Sequence, residues 1–148
     1  MRPVLALSLS LAIAACSRTV DDSTPAGAAR MFVSAMVLST EDRRGLEEAY
    51  HLLSQPTRAQ LVQRARQTAA LGAREREPWE MLVEGTAHLR FEPRPGGFRE
   101  QLDGSDPDRA IVTILGPHDG DRAELSLVRE DDGWRIALDL PESAGPVE

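Results

Sequence analysis

The hydrophobic period of the chain changes once, near Val83, and that change limits the fold more than any other feature. Before it, apolar residues return every three or four positions, as on a helix with one buried face. After it they alternate with polar ones, as on a half-buried strand. Thr24-Pro25 supplies an N-cap and a proline suited to the first helical position. Ala29, Phe32, Val33, Met36 and Val37 then follow at helical spacing, and Met31, Ala35 and Leu38 widen that face. The first helix is predicted to end near Ser39 and Thr40. A second is predicted from Glu41 to Ser54, with Leu46, Ala49, Tyr50 and Leu53 inward and Gln55-Pro56 as its break. Thr57 and Gln60 have the spacing of a capping box, which predicts a third helix running to about Leu71, with Gly72 as its stop.

Ala73 to Pro78 reads as a charged loop, and Trp79 to Leu82 as a short turn or a lead into the sheet. Ala87, Leu89 and Phe91 alternate with His88, Arg90 and Glu92, predicting a first strand. After turn residues at Pro93 to Gly97, strands are predicted at Phe98 to Leu102, at Ala110 to Leu115 and from Ala123 through Leu127. The Ala110 to Leu115 segment is apolar on both faces and reads as central. Asp132-Gly133 is a hairpin signal, and Trp134, Ile136, Leu138 and Leu140 alternate with Arg135, Ala137 and Asp139 up to Pro141. Helices followed by an antiparallel meander define an α+β class, with the N-terminal helices packed on one face of a curved antiparallel sheet.

The first residues set a different constraint. Arg2, an apolar run from Val4 to Ala14 and small residues before Cys16 have the layout of a secretory signal peptide. The run falls short of the roughly 20 apolar residues that span a bilayer. Ile13-Ala14-Ala15-Cys16 resembles the lipobox of bacterial lipoproteins, and that resemblance implies lipidation at Cys16, which is also the only cysteine in the chain. Two or three acyl chains, at about 0.8 kcal/mol per buried CH₂, would hold the chain to a membrane. Ser17 after the cysteine, in place of Asp, implies passage to the outer membrane, facing the periplasm. The expected organisation is a signal peptide over 1–15, a lipidated tether over 16–23, a single domain over 24–141 and a disordered tail over 142–148.

Charge and composition exclude several functions. The net charge of −7 argues against nucleic acid and against anionic lipid headgroups as partners. All the basic residues are arginine, and there is neither lysine nor asparagine, a pattern that reads as codon bias in a GC-rich genome. Without lysine there is no P-loop, no Schiff base and no Ser-x-x-Lys pair. With Cys16 acylated there is no thiol nucleophile, disulfide or thiolate metal site.

The order of helices then strands, the opening Thr24-Pro25-Ala26-Gly27-Ala28-Ala29-Arg30-Met31-Phe32 and the closing Asp131-Asp132-Gly133-Trp134-Arg135-Ile136 resemble small bacterial lipoproteins of the NTF2-like, or cystatin-like, superfamily. The resemblance implies a cone enclosed between helices and sheet. Enzymes of that superfamily carry an acid or base in the cone, often beside a tyrosine. Tyr50 is the inward candidate here, and its plainer reading is a core tyrosine with one polar partner. His51 lies about 100° round the helix from it. His88 falls on the polar side of its strand and His118 in a turn. Asp103, Asp106 and Asp108, and Asp119 and Asp121, lack calcium-loop spacing and read as turn carboxylates.

These readings predict no catalytic residue, no cofactor and no metal. They describe a non-catalytic binding or accessory module whose partner is an envelope protein or a small apolar ligand. An isomerase or dehydratase using the NTF2-like pocket is the alternative. The anchor is tested by labelling cells with a fatty acid: the wild-type protein is expected to take up label and Cys16→Ser to take up none. An unlabelled wild type would refute the lipobox reading.

Overall fold

A computed structural model describes residues 21–82 and 89–140 of the chain. Cys16, His88 and the expected tail lie outside the described residues. Within them the fold is α+β. Helices α1 (Pro25–Leu38), α2 (Arg44–His51) and α3 (Gln55–Ala70) and a 3₁₀ turn (Pro78–Leu82) precede the strands. These are β1 (Phe98–Leu102), β2 (Arg109–Leu115), β3 (Arg122–Glu130) and β4 (Gly133–Ala137), which form an antiparallel sheet in the order β1-β2-β3-β4.

Helix α1 begins as the sequence predicts. The Thr24 hydroxyl oxygen accepts from the Gly27 N–H at 3.0 Å, and Pro25 occupies a position where a missing N–H costs nothing. Its buried face holds Ala29, Phe32, Val33, Ala35 and Met36, but Val37 and Leu38 are 63% and 40% exposed. The second helix is shorter than predicted, and the third starts earlier. Ser54, expected to end α2, instead caps α3: its hydroxyl accepts from the Thr57 N–H at 3.4 Å and lies 3.0 Å from the Thr57 hydroxyl. Pro56 therefore sits in the first turn, where proline is tolerated, and does not break anything. The capping-box reading put this N-terminus three residues late because Ser54 and Thr57 are both competent caps. Only the position of the sheet selects between them.

That selection runs through β4. The Ser54 N–H donates to the Ile136 carbonyl at 2.9 Å, the Ile136 N–H to the Leu52 carbonyl at 2.8 Å, and the Trp134 N–H to the Asp22 carbonyl at 2.9 Å. Beyond the strand's end, the Leu138 N–H donates to the Thr57 hydroxyl at 3.2 Å. The outer edge of β4 is thus paired with chain from ahead of α1 and from the α2–α3 junction, and its donors are satisfied. Asp22, assigned from sequence to the tether, is bonded into the fold.

Register aligns Ala110, Leu127 and Ile136 across β2, β3 and β4, and all three are 3% exposed or less. A slip of one residue would turn this row to solvent. β2 lies between two neighbours as expected, yet it is covered on one face only: Val112 and Ile114 are fully buried while Ile111 is 46% exposed. The expected strand through Leu89 and Phe91 is not formed in its described part. Leu89 to Glu92 is irregular, with Leu89 and Phe91 half-buried against the core. The hairpin between β3 and β4 closes through Asp131 and Asp132, and Gly133, at φ +140°, pairs with Glu130. A Cβ on Gly133 would come within 2.9 Å of the Asp22 carboxylate, so both the backbone angle and the close approach favour glycine here.

Arg135 corrects the alternation read from the sequence. Expected outward, it is 6% exposed. Its guanidinium reaches the Asp22 carboxylate at 2.5 Å, the Asp132 carboxylate at 2.6 Å and the Trp134 carbonyl at 2.9 Å. Burial alone would lower the Arg135 pKa, but the hydrogen bonds to Asp22 and Asp132 outweigh it and raise the pKa above the ordinary value. In return, the hydrogen bond from Arg135 holds the Asp132 carboxyl below its usual 3.8. A carboxylate whose folded pKa is depressed stabilises above the unfolded value, and that contribution is lost as pH falls through the folded one.

Two predictions follow from this packing. Trp134 is 5% exposed, so Trp134→Ala should cost about 3–5 kcal/mol in a urea melt; a change below ~1 kcal/mol would mean the strand does not pack as described. In melts repeated across pH, the wild type should lose more stability than Asp132→Asn below about pH 4. Parallel acid limbs would show that the Arg135 pair does not form.

Candidate functional site

The second half of α1 lines a cleft on its side away from the core. Across from it, the chain from Leu89 to Phe98 is tied to the end of β2: the Arg94 N–H donates to the Leu115 carbonyl, the Leu115 N–H to the Gly97 carbonyl and the Gly97 N–H to the Arg94 carbonyl, each at 2.9 Å. Phe91 folds against Gly116, where a Cβ would stand 2.6 Å from the ring. Between α1, α2 and this segment lies an open cleft of 1330 Å³. Its walls are mainly apolar, with Val33, Met36, Leu52, Leu89, Phe91 and Phe98 among them.

Polar groups enter at a few points. Arg30 lines one wall, its guanidinium carbon 5.4 Å from the centre of the Phe98 ring, within cation–π range. Arg94 also lines the cleft, between Pro93 and Pro95, so its backbone is held extended by the proline that follows it. Glu48 and His51, one turn apart on α2, line the cleft, and Glu92 does so from the irregular segment.

The sequence-predicted candidates fall in different places. Tyr50 is half-buried, with its ring edge-on to His51 at 6.0 Å. No hydrogen bond among the described residues joins its hydroxyl to a carboxylate or imidazole. His51, set aside because it lies off the inward face of α2, is in the cleft wall, since the cleft opens on that side of the helix. His118 is in an exposed turn, its N–H donating to the Asp121 carboxylate at 3.0 Å. Asp103 accepts from the Ser105 N–H and hydroxyl at 2.8 and 2.7 Å, and the hydroxyl bond foremost lowers its pKa. Asp106 accepts from the Asp108 N–H and pairs with Arg109 at 3.2 Å. Asp119 is exposed. The acidic loops are therefore turn-forming carboxylates, and among the described residues no cluster of three or more His, Cys, Asp or Glu could hold a metal ion.

A separate polar cluster gathers on Glu80, which accepts from the Glu77 N–H at 2.9 Å and pairs with Arg43 and with Arg74. The Glu77 bond foremost holds its carboxyl below the usual range. Arg43 also lies over the Trp79 ring at 5.0 Å. These contacts fasten the 3₁₀ turn to α2 and lie outside the cleft.

Sequence reasoning missed the cleft and the two arginines at its rim. The spacing of Glu48 and His51 on one helical face was the available signal for one wall, but nothing local marked Arg30 as different from any other surface arginine. No known family, characterised protein or solved structure matches the chain.

Proposed function

We propose that the chain is a lipid-anchored protein of the bacterial envelope, held at the outer membrane through Cys16, and that its NTF2-like domain is a non-catalytic binding module. The observation that carries this reading is the cleft of 1330 Å³ with largely apolar walls. Its volume exceeds the ~300–1,000 Å³ typical of small-molecule pockets. A cavity of that kind gains free energy by taking apolar surface out of water, at about 25 cal/mol per Å². It needs no reactive group to do so. The lipobox pattern supports the anchor, and the N-terminal helices with their antiparallel sheet are compatible with the cone.

One observation favours a second reading. Glu48 and His51 share a cleft wall and are of the residue types that serve as general acids and bases. An isomerase or dehydratase acting on a small apolar substrate would draw on this pair, with Tyr50 beside it.

The test is to purify the full chain from envelopes, extract it with organic solvent and identify what co-purifies by mass spectrometry. An apolar compound in near-stoichiometric amount is expected. Ser34→Trp, which fills the cleft from the exposed side of α1, should lose it while melting within about 2 °C of the wild type. Equal recovery from both proteins would refute the cleft as the site. Incubation of the compound with the wild type should return it unchanged, and conversion abolished by His51→Gln would establish the enzyme instead.

A further inference from the structure

The two edges of the sheet differ. The outer edge of β4 is bonded to chain from ahead of α1 and from the α2–α3 junction, whereas β1 has no such cover among the described residues. The Leu115 N–H donates to the Gly97 carbonyl and the Asp103 N–H to the Arg109 carbonyl, each at 2.9 Å. In this register Arg99 and Gln101 likewise turn their main-chain groups toward β2, and Phe98, Glu100 and Leu102 turn theirs outward. No hydrogen bond among the described residues meets those outward N–H and carbonyl groups. The features that ordinarily blunt an edge are missing: β1 holds no proline and no bulge, and its Glu100 carboxylate is folded back onto the Ala26 N–H at 3.1 Å. Arg99 to Leu102 are all exposed, Leu102 by 55%.

We infer that β1 pairs antiparallel with β1 of a second copy of this chain, about a two-fold axis at Gln101. Three two-fold registers use the outward groups of Phe98, Glu100 and Leu102. One centred on Arg99 sets two arginines face to face and one centred on Glu100 two glutamates, and like charges directly opposite one another repel. Centred on Gln101, the pairing sets the two Gln101 amides opposite each other and Arg99 of each copy opposite Asp103 of the other. Arg99 forms no ion pair within its own chain among the described residues, so it is available for that one. Glu100 and Leu102 of the two copies then exchange main-chain hydrogen bonds, and the exposed Leu102 side chains lie diagonally across the axis from each other, where long side chains still touch. The strand's own sequence supplies both halves of the match. Because the β4 edge is already occupied, the sheet closes at two copies and does not grow further.

The experiment uses the full chain in detergent micelles, with its mass read by sedimentation equilibrium at matched detergent density. The wild type is expected to be a dimer in reversible equilibrium with monomer. Arg99→Asp should raise the dissociation constant about tenfold, and Arg99→Asp combined with Asp103→Arg should bring it back toward the wild-type value. Under mild oxidation Gln101→Cys should form a covalent dimer, since facing positions of a close pair have Cβ atoms roughly 4.5–5.5 Å apart. Arg99→Cys, equally exposed, should not, because its two copies would stand four positions apart along the ladder, roughly 13 Å. The wild type is oxidised in parallel to account for Cys16.

A wild type that stays monomeric at the highest concentration reached would overturn the pairing. So would a Gln101→Cys protein that links no more than Arg99→Cys does, since a dimer of that kind meets through another surface. A dimer that links through Gln101→Cys but is indifferent to Arg99→Asp would overturn the Arg99 to Asp103 match as the reason for the register.

Discussion

The outer edge of β4 is where the helical and sheet halves of this protein become one structure. Left open, it would present unpaired donors and acceptors to solvent and to other chains. It is closed by Asp22 and by the Leu52 to Ser54 junction, so residues far apart in sequence complete the ladder. Much else depends on that closure. Ser54 can cap α3 because its own N–H is already committed to Ile136. The buried row of Ala110, Leu127 and Ile136 holds its register in a strand fixed on both sides.

Arg135 reinforces the same junction from the side chains. A guanidinium this buried would be costly alone, and its two carboxylate partners come from the start of the fold and from the β3–β4 turn. Removing either partner would leave charge poorly compensated, so the pair ties the beginning of the chain to its last strand.

The cleft follows from what the closure leaves uncovered. Val37 and Leu38 are exposed while Phe32 and Met36 are not, because neighbouring positions on a helix point about 100° apart and the cleft side of α1 has no strand packed on it. The Leu89 to Phe98 segment forms the opposite wall, and its two prolines and backbone bonds to β2 keep it in place.

The α+β class, the first helix with its cap, the positions of β1, β2 and β3 and the burial of Trp134 were legible in the sequence, because each follows from local spacing or from a side chain bonding its own backbone. The start of α3 was not, since Ser54 and Thr57 are equivalent caps until Ile136 chooses one. Nor was the burial of Arg135, because alternation assigns a face but cannot see a carboxylate more than a hundred residues away. The cleft was equally hidden: Arg30, His51 and Arg94 look like ordinary surface residues in one dimension. Sequence determines which faces are apolar, through periodicity. Tertiary structure alone decides which faces meet and which are left open, because that depends on where distant segments run out of chain to cover them.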